Sequence, residues 1–525
     1  MMKNNLAQGE SPILLYGPPG SGKSSVGRLL AEALELPFWD LDHEIELRSK
    51  AKIPEIFSRH GEVGFRKRER DVLKSFLVRQ YGVISLGGGT LLDPGNRAAA
   101  EESGVILCLS ASAEDLITRL QTADEERPLL NENLESKLSE LIAKRADHYA
   151  SFPNQLETSG RNSREIAWGA QKALGAFRIR GMGEAYDVRV IEGGIQFAGS
   201  LIKSRGLRGP VGLVSDSNVG PLYAKSVMDS LQVAGYQVTK ITIPAGEEHK
   251  TTATVHKIWA QLLAGKIERG STIVALGGGV LGDLTGFASA TFLRGVRWVA
   301  MPTSLLAMVD ASLGGKTGAD LPEGKNLIGA FHSPRLVLAD PLTLKTLPEV
   351  EFRSGLAEVV KHGVISDPEL FRFCDRGWEH IQDNLGQLVR RGMAVKIQVI
   401  QSDPYEQGLR KNLNLGHTIG HAVETVSNFK VRHGEAVAIG MVLAAKLSVL
   451  AGLTDESLVR HIEKTLTKLE LPTSIPTGLD REKIIEATRF DKKRAGGKVQ
   501  FTLPVRIGEV KYGVEVKDWE SIVRD

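Results

Sequence analysis

The sequence predicts an α/β protein in which two sheet-containing regions are followed by a mainly helical one. Strand-like apolar runs alternate with helix-like stretches through most of the first 345 residues, as expected for sheets covered by helices. Beyond about residue 345 the strand signals fade and long helical patterns dominate. A chain of 525 residues is long enough for about three or four domains. We expect domains at 1–175, 186–345 and 346–525, with a short linker at 176–185.

The composition is that of an ordinary globular protein. Hydrophobic residues make up 42% and charged residues 25%, and the formal net charge of +3 gives no argument for nucleic acid binding. The two cysteines, Cys108 and Cys374, are too far apart for a CxxC pair, which indicates a reduced cytoplasm. The start lacks a signal-peptide pattern, and Lys446 interrupts the most apolar run, Ala436–Leu453. We expect a cytoplasmic protein with small-molecule partners, with no nucleic acid and no membrane.

A phosphate-binding loop follows the first predicted strand. Pro12–Tyr16 is strand-like, the next eight residues match GxxxxGK[ST], and Val26–Leu34 is helix-like. The glycines let backbone N–H groups converge on phosphate oxygens, and the helix N-terminus favours their charge. Lys23 is expected to reach the β- and γ-phosphates of ATP, and Ser24 to hold Mg²⁺. The predicted nucleotide contacts are Gly17, Gly20, Ser21, Gly22, Lys23, Ser24 and Ser25.

Charged groups suited to a phosphoryl acceptor come next. Asp40 and Asp42 end an apolar run, and such a pair can assist Mg²⁺ or orient a hydroxyl. A second strand-like run, Gly82–Leu86, ends in three glycines, where backbone can approach a ligand closely. The stretches FRKRE, RPLL and RADHY supply arginines, which bind phosphate and carboxylate through paired hydrogen bonds. A single arginine is more often a surface charge, so the order of the set carries the prediction.

The ordered set GPPGSGKS, DLD, FRKRE, GGG, RPLL and RADHY resembles shikimate kinase over about residues 10–172. The resemblance implies a parallel sheet of the nucleoside-monophosphate-kinase type, with Arg127 stabilising the transferring phosphate and Arg119 near adenine. It implies that Asp42 orients the attacking hydroxyl and that shikimate is bound by Asp42, Arg66, Gly87, Gly88, Gly89 and Arg145. Ala51 stands where many relatives have glycine, away from the phosphate chemistry. Another small-molecule P-loop kinase, such as a gluconate kinase, is the alternative, against which FRKRE and GGG argue together.

The second region carries a weak dinucleotide motif. Its strand-like runs are Tyr186–Ile191, Gly209–Ser215, Tyr236–Ile243 and Ser271–Leu276, and the last leads into GGGVLGD, which contains GxGxxG. By itself this motif is explained about as well by a tight glycine turn. The acidic residue that a Rossmann dehydrogenase places about twenty positions further on is missing. A plain dehydrogenase is therefore a poor fit.

A histidine pair in the helical region suggests a metal site. His417 and His421 are four residues apart in a helix-like stretch, so both rings project from one helix face. His433 and Glu435 follow, and imidazoles near carboxylates suit a divalent ion such as zinc. From the pair alone, packing or capping is the commoner explanation.

The surrounding motifs resemble 3-dehydroquinate synthase, in order, over about residues 180–525. They are AGEEHK, GGGVLGD, RG, PTSLLAMVD, GGKTG, GKN, GLAEVVK, DPYEQGLR and NLGHTIGHAVETVSNFKVRHG. Ser304 and Ala311 replace the more usual threonine and serine, and Ser304 stands at an implied cofactor contact. The resemblance implies an NAD-binding α/β domain followed by a mainly α domain that binds metal and substrate.

By that resemblance, NAD⁺ and Zn²⁺ (or Co²⁺) support conversion of 3-deoxy-arabino-heptulosonate 7-phosphate to 3-dehydroquinate and phosphate. The implied metal ligands are Glu358, His417 and His433, and His421 moves to the substrate phosphate. The implied NAD contacts are Asp216, Glu247, Lys250, Gly278, Gly279, Asp283, Thr303, Ser304, Lys316, Lys325 and Thr346. The implied substrate contacts are Arg294, Asp310, Lys316, Asn326, Lys361, Lys396, Arg410, Asn414, His421 and Lys492 or its neighbour Lys493.

The expected protein is thus a bifunctional enzyme of chorismate and aromatic amino-acid biosynthesis. Its expected catalytic groups are Lys23, Asp42 and Arg127 in the first region and Asp310, Lys316, Lys361, Arg410 and His421 in the second. The resemblance also implies a homodimer, because Arg294 reaches across an interface in that family. Alternatives are a related sugar-phosphate cyclase or alcohol dehydrogenase for the second region. For the first, a non-catalytic nucleotide-binding regulator is disfavoured by its intact set of charged residues.

Overall fold

The computed structural model of the protein describes residues 11–79, 81–121, 134–493 and 498–524, without the side chains of 79, 134 and 491–493. The chain forms two compact units, one of residues 1–178 with 200–205 and one of residues 179–199 with 206–525.

The first unit is a five-stranded parallel sheet covered by helices. Its strands are β1 (Ile13–Tyr16), β2 (Phe38–Asp40), β3 (Val83–Ser85), β4 (Val105–Ser110) and β5 (Gln155–Glu157). They lie in the order β2–β3–β1–β4–β5, and all pairs are parallel. The helices are α1 (Lys23–Leu34), α2 (Leu41–Ser49), α3 (Ile53–Arg79), α4 (Pro94–Ser103), α5 (Ala113–Gln121), α6 (Leu134–Ala150) and α7 (Ser163–Leu174).

The central strand β1 divides the core of this unit in two. Leu14 and Tyr16 pack into one apolar cluster, and Ile13 and Leu15 pack into another on the opposite face. This alternation follows from the two-residue period of a strand, and burial on both faces is usual for parallel sheets. As a result, the residues directly after Tyr16 emerge at the carboxyl edge of the sheet, which is where ligands bind in open α/β folds.

The segment predicted as a linker, 176–185, begins with a strand. The strand is β6 (Ala176–Ile179), and its residues Ala176, Phe177 and Ile179 are buried. Burial of these apolar side chains explains why the stretch is ordered as a strand despite the flanking Gly175 and Gly181. The first four residues of the predicted linker thus form a strand, and the domain boundaries themselves stay a prediction.

The second unit is built on a seven-stranded sheet with the order β6–β7–β14–β11–β10–β8–β9. Its further strands are β7 (Tyr186–Val190), β8 (Val211–Asp216), β9 (Val238–Ile243), β10 (Thr272–Gly277), β11 (Arg297–Pro302) and β14 (Leu336–Ala339), with β12 (Lys316–Leu321) and β13 (Gly324–Phe331) forming a separate hairpin. The helices along this part of the chain are α8 (Ala198–Ser204), most of whose residues group with the first unit, and α9 (Lys225–Val233), α10 (Thr252–Ala264) and α11 (Gly279–Thr291). The pairs from β7 to β9 are all parallel.

The remainder of the second unit is mainly helical, as predicted. It contains α12 (Glu349–Ile365), α13 (Pro368–Asp375), α14 (Trp378–Asp383), α15 (Leu385–Ser402), α16 (His417–Val426), α17 (His433–Leu450), α18 (Glu456–Lys468), α19 (Arg481–Lys493) and α20 (Glu520–Arg524). One hairpin, β15 (Phe501–Arg506) with β16 (Glu509–Val514), was not predicted. The helix α17 is long and apolar enough to cross a membrane, but 72% of that stretch is buried, as in the core helix of a globular protein.

Candidate active sites

The loop after β1 is shaped by glycine. Gly17, Gly20 and Gly22 have positive φ angles of 136°, 79° and 89°, which other residues rarely adopt. A Cβ added at Gly17 would overlap the carbonyl oxygen of Leu109, so a close approach requires glycine there as well. No side chain caps the N-terminus of α1. Its first N–H groups are thus directed at the space where phosphate is expected.

The polar residues of the loop are held in place by short contacts. The Lys23 ammonium donates to the carbonyl oxygens of Gly17 and Pro18 at 2.9 and 2.8 Å. The Ser24 hydroxyl donates to Asp40 Oδ2 at 2.6 Å, while Asp40 Oδ1 accepts from the backbone N–H of Asp42 at 3.1 Å. A hydroxyl beside a fixed carboxylate is a suitable arrangement for Mg²⁺, which prefers oxygen ligands. Of the two predicted carboxylates, it is Asp40 that lies on this side.

The three glycines after β3 lie between the loop and the predicted acceptor residues. The carbonyl oxygen of Gly88 accepts from Tyr149 Oη at 2.7 Å, from Arg145 at 3.3 Å and from Tyr16 Oη at 3.3 Å. A Cβ on Gly88 would lie 3.2 Å from the carbonyl oxygen of Gly17. Burial raises the pKa of both tyrosines, so the phenols remain protonated donors.

Asp42 and Arg66 approach this glycine run from its other side. A Cβ on Gly87 would lie 3.0 Å from Asp42 Oδ1, and one on Gly89 would lie 2.8 Å from Arg66 Nη2. Arg66 is held by the buried Glu69, to which it donates at 2.8 Å. One carboxylate and two arginines thus converge on the half-buried backbone of the three glycines, an arrangement that suits a small ligand with both hydroxyl and carboxylate groups.

The other predicted residues of the first unit are less closely tied to the glycine run, and one of them falls outside the described part of the chain. Arg119 on α5 donates to the hydroxyl and carbonyl oxygens of Thr158 at 3.0 and 2.7 Å. The helix nevertheless flanks the loop, because a Cβ on Gly20 would lie 3.0 Å from the carbonyl oxygen of Leu116. Ser21 is buried and Ser25 is exposed on α1. Arg127 falls outside the described residues.

In the second unit, the predicted dinucleotide turn joins β10 to α11. β10 ends at Gly277 and α11 begins at Gly279. A Cβ on Gly277 would lie 3.0 Å from Asp216 Oδ2, at the end of the neighbouring strand β8. A pocket opens here, and its lining includes Gly277, Gly278, Gly279, Gly282, Asp283, Pro302, Ala311 and Lys316. The backbone N–H of Thr303 donates to Gly277 O at 3.0 Å, and Ser304 Oγ would lie 3.6 Å from a Cβ on Gly278.

A buried lysine links Asp283 in the lining of this pocket to Asn326 on β13. The Lys250 ammonium donates to Asp283 Oδ2 at 2.7 Å and to Asn326 Oδ1 at 2.6 Å. Burial raises the pKa of Asp283 even though Lys250 opposes the shift. Asn326, expected among the substrate contacts, thus lies with the expected nucleotide residues. The Lys325 ammonium lies 3.6 Å from Glu247 Oε1, and Thr346 Oγ1 lies 2.5 Å from Tyr223 Oη.

The predicted metal ligands come together from three helices. Glu358 lies on α12, and His417 and His433 begin α16 and α17. One ligand atom from each lies within 4.8 Å of the others. The carboxylate is fully buried, and its Oε1 lies 3.7 and 3.6 Å from the Nε2 atoms of His417 and His433, too far for hydrogen bonds. A buried carboxylate oxygen without a hydrogen-bond partner between two imidazole nitrogens fits a divalent cation.

The electrostatics of Glu358 and His417 favour metal binding; at His433, although burial opposes the charge, Glu358 and Glu424 raise the pKa to about 10, so an ion has to displace a proton there. Burial opposes ionisation of Glu358, but Lys361 and the two imidazoles outweigh it and hold its pKa well below the usual range. Burial and the positive charge of Lys361 lower the pKa of His417, which favours the neutral form that a metal requires. His417 Nδ1 lies 3.1 Å from the carbonyl oxygen of Leu415, which directs Nε2 towards Glu358.

His421 stands apart from this set, on the exposed side of α16. Its ring centroid lies 5.0 Å from that of His417, and its nitrogens group with Glu424 and His433 rather than with Glu358. The structure therefore brings His417 and His421 onto one helix face, as predicted, but brings only His417 to Glu358.

Buried cations surround the cluster. Lys361, Lys396 and Arg410 are each less than 10% exposed. Lys396 donates to Asp310 Oδ1 at 2.6 Å, and although burial opposes ionisation of Asp310, Lys396 lowers its pKa to about 2. Arg410 donates to the carbonyl oxygen of Pro404 at 2.6 Å. Lys361 pairs with Glu358 and Lys396 with Asp310, so the three cations exceed the paired carboxylates by one, a balance that suits an anionic ligand.

The remaining predicted substrate residues are more peripheral within the unit. Lys316 donates to Glu406 Oε2 at 2.6 Å, and Asn414 is half-buried at the end of the turn before α16. Arg294 is exposed in a turn with a φ of 65°. The side chain of Lys492 lies outside the described part of the chain.

Four acidic residues in these sites were not among the predicted site residues: Asp40, Glu69, Glu406 and Glu424. Asp40 was a member of the recognised carboxylate pair. Glu69 is three residues after Arg66 on one helix, a spacing that predicts pairing. Glu424 is seven residues after His417, hence on the same face of α16. Glu406 contacts Lys316 across ninety residues, a separation at which a single sequence carries no signal.

Comparisons with known proteins match both units. Family models described as 3-dehydroquinate synthase N-terminal and C-terminal match residues 240–354 and 355–494, and a shikimate kinase model matches residues 19–174. A 3-dehydroquinate synthase from Synechococcus is 48% identical over 335 residues, which cover 62% of this chain and 91% of the relative. One from Acetivibrio thermocellus is 46% identical over 317 residues, 59% of this chain and 88% of the relative.

Two solved structures are similar in fold. A 2-deoxy-scyllo-inosose synthase complexed with carbaglucose-6-phosphate, NAD⁺ and Co²⁺ has a TM-score of 0.61 and 26% identity, covering 66% of this chain and 99% of its own. A 2-epi-5-epi-valiolone synthase from Streptomyces hygroscopicus with NAD⁺ and Zn²⁺ bound has a TM-score of 0.59 and 27% identity, covering 66% and 97%.

Proposed function

The chain belongs to the 3-dehydroquinate synthase family and carries a shikimate kinase region ahead of it, and on that premise we propose which residues perform its two reactions. It is a bifunctional shikimate-pathway enzyme. One activity phosphorylates shikimate with ATP and Mg²⁺ to shikimate 3-phosphate. The other converts 3-deoxy-arabino-heptulosonate 7-phosphate to 3-dehydroquinate and phosphate, with NAD⁺ and Zn²⁺ or Co²⁺ as cofactors. The alternative kinases, cyclases and dehydrogenases are not favoured.

For the kinase, the observation that supports our assignment is the position of Gly87–Gly89 between the phosphate loop and the pair Asp42 and Arg66. An acceptor bound on this glycine run would lie next to the γ-phosphate held by Lys23. Phosphoryl transfer depends mainly on such positioning and on stabilising charge. Arg66 and Arg145 bind the shikimate carboxylate in our assignment, and Asp42 accepts a hydrogen bond from the hydroxyl that attacks.

Ser24 and Asp40 hold Mg²⁺ in the same assignment. The hydroxyl of Ser24 and the free lone pairs of Asp40 Oδ2 present adjacent oxygens, and Mg²⁺ needs few protein ligands besides water and phosphate oxygens. Lys23, now bonded to carbonyl oxygens of the loop, is able to exchange them for phosphate oxygens. Arg119 contacts adenine and Arg127 stabilises the transferring group in the proposed arrangement.

For the synthase, the buried Glu358 Oε1 between His417 and His433 is the observation that supports the metal site. These three residues would hold the ion and leave a fourth position for substrate. When bound, the ion supplies a Lewis acid and NAD⁺ supplies a reversible hydride acceptor. The nucleotide lies against the turn at Gly278–Gly279 in our proposal, with Asp216, Lys250, Asp283 and the other predicted contacts around it.

The chain's own groups bind and orient the heptulosonate phosphate. In the proposal, Lys361, Lys396 and Arg410 neutralise its carboxylate and phosphate. Asp310, ionised and fixed by Lys396, holds a substrate hydroxyl. His421, next to the metal histidines but on the exposed side, contacts the substrate phosphate. The remaining predicted contacts, Arg294, Lys316, Asn414 and Lys492, complete the substrate site in the proposal, and Asn326 contacts the substrate from the nucleotide side.

We further propose that the protein is a cytoplasmic homodimer. Arg294 is exposed on a turn of the second unit, which suits a residue that completes a partner's site. Both cysteines are free and buried, which suits a reducing compartment. The kinase occupies 1–175 in this proposal, and the synthase comprises the NAD-binding domain 186–345 and the domain 346–525.

The full chain tests both assignments when each substrate is supplied separately. With ATP and Mg²⁺ we expect shikimate 3-phosphate, and with NAD⁺ and Zn²⁺ we expect 3-dehydroquinate and free phosphate without net NADH. Net NADH would indicate a dehydrogenase, and a different cyclised product would indicate another cyclase. Background ATP turnover with shikimate, in a folded and Mg²⁺-loaded sample, would contradict the kinase assignment. The separated halves 1–175 and 176–525 should each retain their own reaction.

A further inference from the structure

Behind the proposed metal ligands, Glu424 joins two groups that belong to different sites. Its Oε2 lies 3.3 Å from His433 Nδ1, the ring nitrogen that faces away from Glu358. Its Oε1 lies 3.5 Å from the ammonium of Lys325 on β13. The Glu424 side chain is only 12% exposed, whereas its partners Lys325 and His433 are 34% and 31% exposed. One carboxylate is therefore shared between a proposed metal ligand and a proposed nucleotide contact.

Lys325 has two further neighbours and is about one third exposed (34%). Glu247 Oε1 lies 3.6 Å from its ammonium and belongs to the segment 245–250 that also carries Lys250. The ring of Phe429 lies 4.2 Å from the same ammonium, within the range of a cation–π contact. Lys325 thus bridges Glu424 next to the metal ligands and Glu247 next to the nucleotide pocket.

The turn that supplies Phe429 is held in a rare conformation. Asn428 and Phe429 have consecutive positive φ angles of 52° and 59°, and a bulky aromatic residue seldom adopts such a value. The N–H of Phe429 donates to the backbone carbonyl oxygen of Glu424 at 2.9 Å. Glu424 therefore anchors the ring over Lys325 through its main chain while it pairs with Lys325 through its side chain. Local strain of this kind persists where the surrounding structure specifies it.

We propose that Glu424 is a positioning residue that couples metal binding to NAD⁺ binding, an inference that rests on the proposed function of both sites. With Nδ1 directed at Glu424, the imidazole of His433 presents Nε2 to the metal and is a stronger base. The position of Glu424 depends in turn on Lys325 and Glu247. When the metal or NAD⁺ binds, it orders its own end of the series Glu424–Lys325–Glu247 and lowers the entropy cost of ordering the opposite end. Metal binding should therefore raise the affinity for NAD⁺ by the same factor as NAD⁺ binding raises the affinity for the metal.

The test is the Zn²⁺ affinity of the full-length apoprotein, measured by competition with a chromophoric chelator, without NAD⁺ and with saturating NAD⁺. In the unmodified protein we expect NAD⁺ to tighten Zn²⁺ binding by about fivefold or more. Glu424→Gln, which keeps the shape of the side chain, should weaken Zn²⁺ binding by about 10- to 100-fold and retain one ion per chain. In this variant, the factor by which NAD⁺ tightens Zn²⁺ binding should fall towards one.

Lys325→Met separates coupling from ligand positioning. This variant should bind NAD⁺ more weakly, and the saturating NAD⁺ concentration compensates for that. We expect it to lose less Zn²⁺ affinity than Glu424→Gln does, but NAD⁺ should again fail to tighten Zn²⁺ binding. Glu424→Asp should recover part of the affinity, which a general packing defect would not allow. Glu463→Gln on α18, whose carboxylate lies 3.8 Å from Lys446, is the matched control and should behave as the unmodified protein.

Three outcomes would overturn the inference. Unchanged Zn²⁺ affinity in Glu424→Gln would exclude positioning, and an unchanged NAD⁺ effect in Lys325→Met would exclude coupling through this pair. Loss of the bound ion in Glu424→Gln, as complete as in His417→Ala, would make Glu424 a metal ligand instead. If His417→Ala itself leaves Zn²⁺ binding intact, the proposed metal site is wrong. This result separates a failure of the proposed function from a failure of the coupling through Glu424.

Discussion

Ser24 and Asp40 lie sixteen residues apart in the chain, and the hydroxyl of the first donates to the carboxylate of the second at 2.6 Å. The bond brings the start of α1 to the end of β2, and Ser85 Oγ at the end of β3 lies 3.3 Å from the same hydroxyl. The two carboxylates of the DLD stretch consequently face different partners. Asp40 is next to Ser24, and Asp42 is next to Gly87.

Asp40→Asn and Asp42→Asn should therefore impair the kinase in different ways. We expect Asp40→Asn to raise the Mg²⁺ concentration needed for half-maximal activity by about 10- to 100-fold, because a charged oxygen next to the ion is lost. Asp42→Asn should leave the Mg²⁺ requirement unchanged and lower kcat by about 10²- to 10⁴-fold, the range for a group that handles the reacting proton. Steady-state assays over a Mg²⁺ series distinguish the two variants.

The synthase activity of the same chains is the internal control and should remain unchanged. The assignment of the two carboxylates is reversed if Asp42→Asn shifts the Mg²⁺ requirement and Asp40→Asn does not.

The residue patterns predict the local features of this site, but they do not distinguish the two aspartates, and the choice of Asp42 came from the resemblance to shikimate kinase. Short-range patterns determine the strand, the loop and the helix around Ser24, because their periodicity and glycine spacing are local properties. Which of Asp40 and Asp42 faces Ser24 depends on how β2 pairs with β3 and on the helix cap that Asp40 provides to α2. The unpredicted strand β15 has a similar explanation, since Pro504 argues against a strand until the hairpin pairing is known.

Tyr149→Phe should weaken shikimate binding specifically. The variant removes the shortest of the three hydrogen bonds to the Gly88 carbonyl oxygen and leaves those from Arg145 and Tyr16. A hydrogen bond of this kind contributes about 0.5–1.5 kcal/mol, so the KM for shikimate should rise about two- to tenfold. The KM for ATP should stay constant, because the phosphate loop is not altered. An equal rise in both constants would show that the tyrosine supports the whole unit and not the glycine run.

Gly440→Ala should disrupt the metal site without touching a ligand. Gly440 on α17 approaches Gly416, the residue that caps α16, so closely that an added Cβ would overlap the Gly416 carbonyl oxygen. The two helices carry His433 and His417, and separating them should cost about 1–3 kcal/mol of stability and weaken Zn²⁺ binding. Gly478→Ala is the control, since its Cβ would meet no atom within 4 Å. Equal Zn²⁺ affinity and melting temperature in the two variants would contradict this account of the packing.

The same pair of glycines shows what a single sequence does not reveal about the metal site. The four-residue spacing of His417 and His421 predicts a shared helix face, which the structure has. It does not reveal that α17 lies against α16 at Gly416, which is what brings His433 to Glu358. The ligand set came from resemblance to a family, and the three-helix contact supplies its physical basis.

Removal of the tightly bound ion should separate the two activities. Dialysis against a chelator followed by transfer into metal-free buffer with Mg²⁺ should abolish synthase activity and leave shikimate phosphorylation intact. The reason is that two imidazoles bind Zn²⁺ or Co²⁺ well, whereas the oxygen ligands around Ser24 favour Mg²⁺. Synthase activity should return on addition of Zn²⁺ or Co²⁺. Full synthase activity in the chelated protein would contradict the proposed site.

His417→Ala and His421→Ala decide which of two overlapping groups holds the ion. His433 belongs to both groups, one with Glu358 and His417 and the other with His421 and Glu424. The first is favoured because Glu358 is fully buried with Oε1 directed at both imidazoles, whereas His421 is exposed to solvent. We expect His417→Ala to lose the ion, and His421→Ala to keep one ion per chain while synthase turnover falls, as measured by metal analysis and phosphate release. Equal loss of the ion in both variants would place it in the second group and return His421 to the ligands.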